Sequence, residues 1–509
     1  LAQYIMLQGT SSHVGKSILT TALCRIFYRM GRQVVPFKAQ NMALNSYVTR
    51  KGLEMGRAQV AQAEAAGLEP DVDMNPVLLK PTGNSCSQVI INGMPLGNMS
   101  ARDYHTGYSL RAFSAVTEAL ERLKHQYDTI VIEGAGSPAE VNLRDHDIVN
   151  MRVAKYLRAP VLLVADIDRG GSLAALVGTL ELLEPEERNL VKGLIINKFR
   201  GDISLFTPAV DFLEQKTGKP VLGVIPFIEQ LGIDEEDSVS LDDKPRAPRT
   251  GDVQIAVIQM PKISNFTDFD SLSDEPDVSL YYVRTAAELG HPDVILLPGS
   301  KNTTEDLRWL YASGLAGAVL KLVKDGTPVI GICGGYQMLG QVIYDPHHTE
   351  SDFPETAGLG LLPVRTTFAD WKQTYQVQAL CRPFPFMGET LEARDLTGYE
   401  IHMGQTVVDS GASEPFVVCQ RSGKDCSLTA GTARKDGLVF GTYIHGLFDN
   451  DQFRRDMLNI LRRHKGLAPL PAQRNYKAEK ERSYDRLAAV TARHLDMDKL
   501  LRIMSDSDL

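Results

Sequence analysis

Cysteine is scarce and scattered: Cys24, Cys86, Cys333, Cys381, Cys419 and Cys426 form no CxxC pair and no metal-ligand spacing. That argues against a disulfide framework and for a reducing compartment, the cytoplasm. Long hydrophobic runs are missing too, and none approaches the ~20 residues of a membrane-spanning helix. Excess positive charge is absent: the net charge of -9 argues against a nucleic-acid-binding surface. There is no repeat and no low-complexity tract. The apolar stretch Leu1 to Leu7 lacks a basic region and a cleavage site and reads as a first β-strand, not a targeting peptide. What is present is ordinary globular material, 43% hydrophobic and 23% charged over 509 residues, enough for more than one core.

The order of segments predicts an α/β protein of two domains, each a mainly parallel sheet flanked by helices. Short apolar runs at Tyr4–Leu7, Val34–Phe37, Thr129–Ile132, Pro160–Ala165, Leu194–Ile196 and Val221–Ile225 read as buried strands, with amphipathic stretches such as Ile18–Met30 and Leu110–His125 between them. This pattern assigns 1–235 to a first domain. Residues 236–251, rich in Asp, Pro, Arg and Ser, read as a linker. A second domain, 252–450, has expected strands at Ile255–Gln259, Val294–Leu297, Val329–Ile332 and Leu438–Tyr443, and an expected helix over Glu305–Val323. Residues 451–509 read as a charged helical extension.

The first domain carries Gly9-Thr10-Ser-Ser-His-Val-Gly15-Lys16-Ser17 between a strand and a helix. Such a turn points backbone N–H groups at a phosphate, Lys16 would meet the β/γ-phosphates of ATP, and the Ser17 hydroxyl would hold Mg²⁺. The loop has one residue more between its glycines than the simple P-loop pattern. Mg²⁺ bound with phosphates usually also needs a carboxylate. Glu133, at the end of the strand-like Thr129–Ile132, is where ligand sites of open α/β sheets collect. Asp166 and Asp168 stand in a similar position, and Glu54 either completes the metal site or only favours a helix dipole.

In the second domain, Pro328-Val-Ile-Gly-Ile-Cys333-Gly334-Gly passes from an apolar strand straight into a helix, the arrangement of a nucleophile elbow. His445 ends another apolar strand and is the expected proton-handling partner. The N–H groups of Gly299, in Leu-Pro-Gly299-Ser-Lys, and of Gly334 offer an oxyanion hole.

Taken together, the P-loop, Lys38, Glu133-Gly-Ala-Gly and Asn197-Lys resemble the dethiobiotin-synthetase-like ATPases. That resemblance implies ATP-dependent phosphorylation of a carboxylate, with Lys38 on the phosphate or substrate side and Asn197 near the adenine. Residues 252–450 resemble class I (triad) glutamine amidotransferases, implying that Cys333 and His445 release ammonia from glutamine. That family usually carries Glu two residues after the His; here the position is Leu447, so Asp449, Glu400 or nothing orients His445. Further motifs, among them Gln40-Asn41, Glu140-Val-Asn142, Asp166-Ile-Asp-Arg-Gly-Gly, Ile263-Ser-Asn-Phe-Thr-Asp268 and Tyr399-Glu-Ile-His402, resemble the cobyric acid synthase family. That likeness implies a corrinoid partner, adenosylcobyrinate a,c-diamide, bordered by Gln40, Asn41, Glu140, Asn142, Asp145, Asp147 and Asp166. Cobyrinate a,c-diamide synthases and CTP synthases share the architecture. A P-loop ATPase switch with an inactive amidotransferase domain is the non-enzyme alternative.

Overall fold

The structure, a computed structural model, describes residues 2–83, 86–229, 231–234, 241, 244–249 and 252–506. In the first domain six strands form one parallel sheet in the order Val221–Pro226, Val191–Phe199, Val161–Asp166, Gln3–Gly9, Thr129–Glu133, Val34–Phe37. Alternation along each strand feeds two cores. Met6 joins one face, whereas Ile5 and Leu7 join the other. The P-loop follows the central strand Gln3–Gly9 and leads into the helix Lys16–Arg29. It therefore sits at the carboxyl edge of the sheet, level with Glu133 one strand away.

The second domain has a seven-stranded sheet in the order Val278–Val283, Val253–Ile258, Val294–Leu297, Val329–Ile332, Val439–Thr442, Gly431–Arg434, Ala412–Ser413, the last two pairing antiparallel. The central strands end in the elbow and in the loop bearing His445. The single helix expected over Glu305–Val323 is two, Thr303–Ala312 and Leu315–Lys324. Gly314, at φ 79°, turns the chain between them in a conformation that favours glycine.

Two features had no clear periodic signal. One is a four-stranded sheet in the first domain, Gln40–Met42, Val77–Gly83, Cys86–Ile91 and Met94–Ser100. The other is a long antiparallel ribbon, Val364–Phe386 paired with Glu389–Val408, which reaches from the second domain to the first. Most of the expected linker 236–251 lies outside the described residues. Of the rest, Leu241 is buried in the second-domain core and the Arg249 N–H donates to Ser279 Oγ at 2.7 Å.

The C-terminal helices divide their packing between the domains. Asp451–His464 buries Phe453, Met457, Leu458 and Leu461 in the second-domain core. Its Arg454 and Arg455 are buried against Glu275 and Asp277. Tyr476–His494 and Met497–Asp506 return to the first domain, where Tyr484, Leu487, Leu500 and Met504 join the core behind the P-loop helix. Arg25 of that helix pairs with Glu481 at 2.8 Å and Asp485 at 2.7 Å. The extension straps one domain to the other.

Across the remaining junction, Asn265 Nδ2 and the Tyr399 hydroxyl both donate to the Ser46 carbonyl, at 2.9 and 3.3 Å, and Thr374 Oγ1 donates to the Gly52 carbonyl at 2.6 Å. Glu54 is buried with one oxygen on Lys80 at 2.8 Å and the other on Lys372, from the ribbon, at 2.5 Å. Burial opposes its charge, but the two ammoniums prevail and hold its carboxyl well below the usual range. Removing one member of a buried charge cluster leaves the others uncompensated. Glu54→Gln is therefore expected to destabilise the chain by about 3 kcal/mol, read as a lower denaturant midpoint; an unchanged midpoint would show that the cluster does not stabilise the junction.

Candidate active sites

Cys333 sits between the strand Val329–Ile332 and the helix Gly334–Leu339 with φ 53° and ψ -108°. Backbone in this region is costly for a non-glycine residue and persists where the surroundings fix it. The fixing is visible: the Cys333 N–H donates to the Thr442 carbonyl at 2.8 Å, and a Cβ on Gly335 would stand 2.0 Å from the Leu297 carbonyl oxygen. Only glycine permits that approach.

His445 is buried and ends the segment after the strand Val439–Thr442. Its Nδ1 pairs with Asp268 Oδ2 at 2.6 Å, and Asp268 Oδ1 accepts the Gly446 N–H at 2.9 Å. Burial disfavours the imidazolium, but Asp268 and Cys333 outweigh it and push His445 up to about 10. His445 Nε2 has no hydrogen-bond partner among the described residues. The group that orients His445 is thus Asp268. Glu400 instead pairs with Arg421 at 2.8 Å. Asp449 is half-buried, its Oδ1 has no partner among the described residues, and burial pushes its carboxyl up to about 7 against Arg57 and Lys480. Leu447 is simply buried.

The segment Tyr399–His402 frames this site. Tyr399 and His445 exchange backbone hydrogen bonds at 3.2 and 2.9 Å, and the Tyr399 ring stacks on the imidazole at 5.1 Å. Tyr47 of the first domain packs against Tyr399, with ring centroids 5.2 Å apart. Cys333 Sγ lies 3.6 Å from the Ile401 carbonyl oxygen. Gly299 pairs with Ser264 in a two-residue antiparallel ladder, and a Cβ there would lie 3.3 Å from His445 Cε1. The Ser300 nitrogen would lie 2.8 Å from a Cβ on Gly334. Gly299 and Gly334 therefore both border the nucleophile–base pair.

Asp306 fastens that loop, accepting the Lys262 N–H at 3.1 and 3.2 Å and the Ser300 hydroxyl at 2.7 Å. Burial pushes its carboxyl up to about 7 despite these donors. Because the folded value is raised, its contribution to stability is present below the unfolded carboxylate range, near pH ~4, and is lost as pH rises through about 7. Asp306→Asn should flatten the fall in melting temperature between about pH 4 and about pH 7; an unaltered slope would assign the fall to other groups.

At the second site Glu133 is buried with three donors. Ser17 Oγ lies at 2.9 Å and Lys38 Nζ at 2.8 Å from Oε1, and Gln62 Nε2 at 2.6 Å from Oε2. Lys16 Nζ reaches the carbonyls of Ser11 and Gly136, both at 3.2 Å. The Thr10 N–H is held by the Val164 carbonyl at 2.9 Å. Gly15 has φ 95°, and a Cβ there would stand 2.2 Å from Asn197 Nδ2. Asn197 braces the loop instead, donating to the Val14 carbonyl at 2.8 Å. Lys198 donates to the His13 carbonyl at 2.6 Å and to Asp166 at 2.8 Å. A hydroxyl and a carboxylate side by side behind a glycine-rich turn suit a hard cation that keeps most of its oxygens from phosphate and water. Among the described residues, no group of three or more His, Cys, Asp or Glu forms a metal cage.

Not every expected residue joins these sites. Glu54, a candidate metal ligand, does not stand with Ser17 and Glu133; both its oxygens are taken by Lys80 and Lys372 at the domain junction. Asp147 is used as a cap, accepting the N–H groups of Val149, Asn150 and Arg152 at 2.8, 2.9 and 3.2 Å. Asn41 is buried and donates to Gln59 at 3.0 Å, while Gln40 accepts from the Tyr104 hydroxyl. Glu140, Asn142 and Asp145 are exposed around the 3-10 turn Val141–His146. Asp268, Gln62, Lys80, Lys372, Lys301 and Glu350 had no role assigned from sequence. Asp268 and Lys301 lie inside motifs singled out there, and the partner of Asp268 is 177 residues away.

Comparison with known proteins agrees with both halves. The CobQ/CobB/MinD/ParA nucleotide binding domain matches residues 5–240, and the CobB/CobQ-like glutamine amidotransferase domain matches 254–453. A cobyric acid synthase of Moorella thermoacetica is 55% identical over 99% of this chain and 98% of its own length. Those of Pelotomaculum thermopropionicum and Desulfitobacterium hafniense are 54% and 52% identical, each over 99% of this chain and 97% and 98% of their own lengths. With its P-loop half and its amidotransferase half both matched end to end, the chain belongs to the cobyric acid synthase family.

Proposed function

We propose that this chain uses ATP and glutamine to amidate the b, d, e and g carboxylates of adenosylcobyrinate a,c-diamide. The observation that carries the reading is the pairing, in one chain, of a Cys333–His445–Asp268 array with a Lys16–Ser17–Glu133 array. Cys333 attacks the carboxamide carbon of glutamine. His445 supplies the proton with which ammonia leaves, and a γ-glutamyl thioester forms. The Gly299 and Gly334 N–H groups stabilise the oxyanion, and water later releases glutamate. In the first domain Lys16 and the turn from Gly9 to Gly15 hold the phosphates of ATP. Ser17 and Glu133 would hold Mg²⁺, which neutralises phosphate charge when bound. The γ-phosphate passes to a corrinoid carboxylate, and ammonia displaces it from the acyl phosphate. Asn197 and Asp166 support the loop.

The corrinoid rests, on this reading, against Gln40 and the exposed turn bearing Glu140, Asn142 and Asp145. Met42, Val141 and Leu143 are exposed at these segments and offer apolar contact. Asp147 holds the backbone beneath, and Asn41 is tied to the Gln59 side chain. Incubation with adenosylcobyrinate or its a,c-diamide, followed by mass measurement, tests the assignment. The expected result is four amides added to the a,c-diamide. Two amides added to adenosylcobyrinate, and none to the a,c-diamide, would instead identify a cobyrinate a,c-diamide synthase.

A further inference from the structure

The pocket at Cys333 is walled by both domains. Cys333, His445, Gln337 and Met403 come from the amidotransferase domain, whereas Lys80 comes from the strand Val77–Gly83 of the P-loop domain. Lys301, Lys372 and Glu350 also line it. Burial pushes the Lys301 ammonium down, and the charge of Glu350 only partly opposes this. Lys80 and Lys372 share the single carboxylate of Glu54. Among the described residues of this wall, three lysines therefore face two carboxylates, and no step described above uses the excess. A buried charge without a counter-ion is unfavourable. Lys372 registers this: burial, together with Lys80 and Lys301, outweighs Glu54 and pushes its ammonium down to about 7.

Glutamine brings the missing anion. Its carboxamide must reach Cys333, and its α-carboxylate stands at the opposite end of a short aliphatic chain. We propose that Lys80 and Lys372 together bind the α-carboxylate of glutamine, so that the glutaminase pocket is completed by a residue of the synthetase domain. Lys80 is well placed to be held ready, since its Nζ also donates to Ser46 Oγ at 2.9 Å. The Ser46 carbonyl in turn accepts from Asn265 and Tyr399, beside the catalytic histidine. Glutamine then binds well only when the two domains are docked. The inference rests on the reading of the Cys333 pocket as the glutamine site.

Alkylation of Cys333 in the full chain tests it without requiring turnover. Two reagents are compared: a chloromethyl ketone analogue of glutamine, which carries the α-carboxylate, and chloroacetamide, which does not. Lys80→Met should slow alkylation by the ketone about tenfold or more, the effect of losing one charge-assisted hydrogen bond. Chloroacetamide should react at an unchanged rate, which also shows that the variant pocket is folded. Lys80→Arg, which keeps the charge, should recover most of the ketone rate. An unchanged ketone rate in Lys80→Met, or equal slowing of both reagents, would overturn the proposal. Should the wild-type protein show no preference for the ketone, the glutamine reading of the pocket itself fails.

Discussion

Asp268→Ala should lower glutamine-dependent turnover on the order of 10⁴-fold, the scale seen when the acid of a nucleophile–base–acid array is altered. The residue holds His445 through Nδ1 and secures the next peptide through the Gly446 N–H. Without it the imidazole loses both its orientation and the charge that favours its protonated form. Amidation driven by added ammonium should persist, because nothing in the P-loop site touches Asp268. Asp449→Ala is the matched comparison. It removes a carboxyl near the same array that makes no bond to His445, so its effect on glutamine use should be under tenfold on the same scale. Steady-state rates with each nitrogen source decide the matter. A larger loss in Asp449→Ala than in Asp268→Ala would assign the orienting role to Asp449 instead.

The second large effect has the opposite signature. Lys16→Ala should abolish amide formation from glutamine and from ammonium alike, by on the order of 10³-fold or more, since phosphoryl transfer depends almost entirely on positioning and charge stabilisation. Glu133→Gln should behave similarly, because its carboxylate gathers Ser17, Lys38 and Gln62. Both variants should still hydrolyse glutamine and still label at Cys333. Amide formation from ammonium at near wild-type rate in Lys16→Ala would remove the P-loop from the chemistry.

Much of this organisation is legible in the chain. Buried parallel strands such as Val161–Asp166 and Val329–Ile332 announce themselves as short apolar runs, and the candidate sites lie at their carboxyl ends. The P-loop and the elbow are local motifs whose geometry follows from glycine placement. Asp268 was harder to read because it reaches His445 only through the packing of Phe266–Phe269 against the turn Leu447–Asp449, a contact with no local spacing rule. Glu54 misled for the converse reason. Its place before a helix suits a metal ligand, yet the long ribbon delivers Lys372 to it from another domain. Cross-domain partners of this kind leave no periodicity in the sequence.

The most direct measurement supplies the protein with ATP, Mg²⁺, adenosylcobyrinate a,c-diamide and glutamine isotopically labelled at its amide nitrogen. Mass analysis of the corrinoid then reports the origin of each new amide. The account predicts labelled amides from the wild-type chain. Cys333→Ser should give none from glutamine, while still forming unlabelled amides when ammonium is added. Labelled corrinoid amides formed by Cys333→Ser at the wild-type rate would contradict the account.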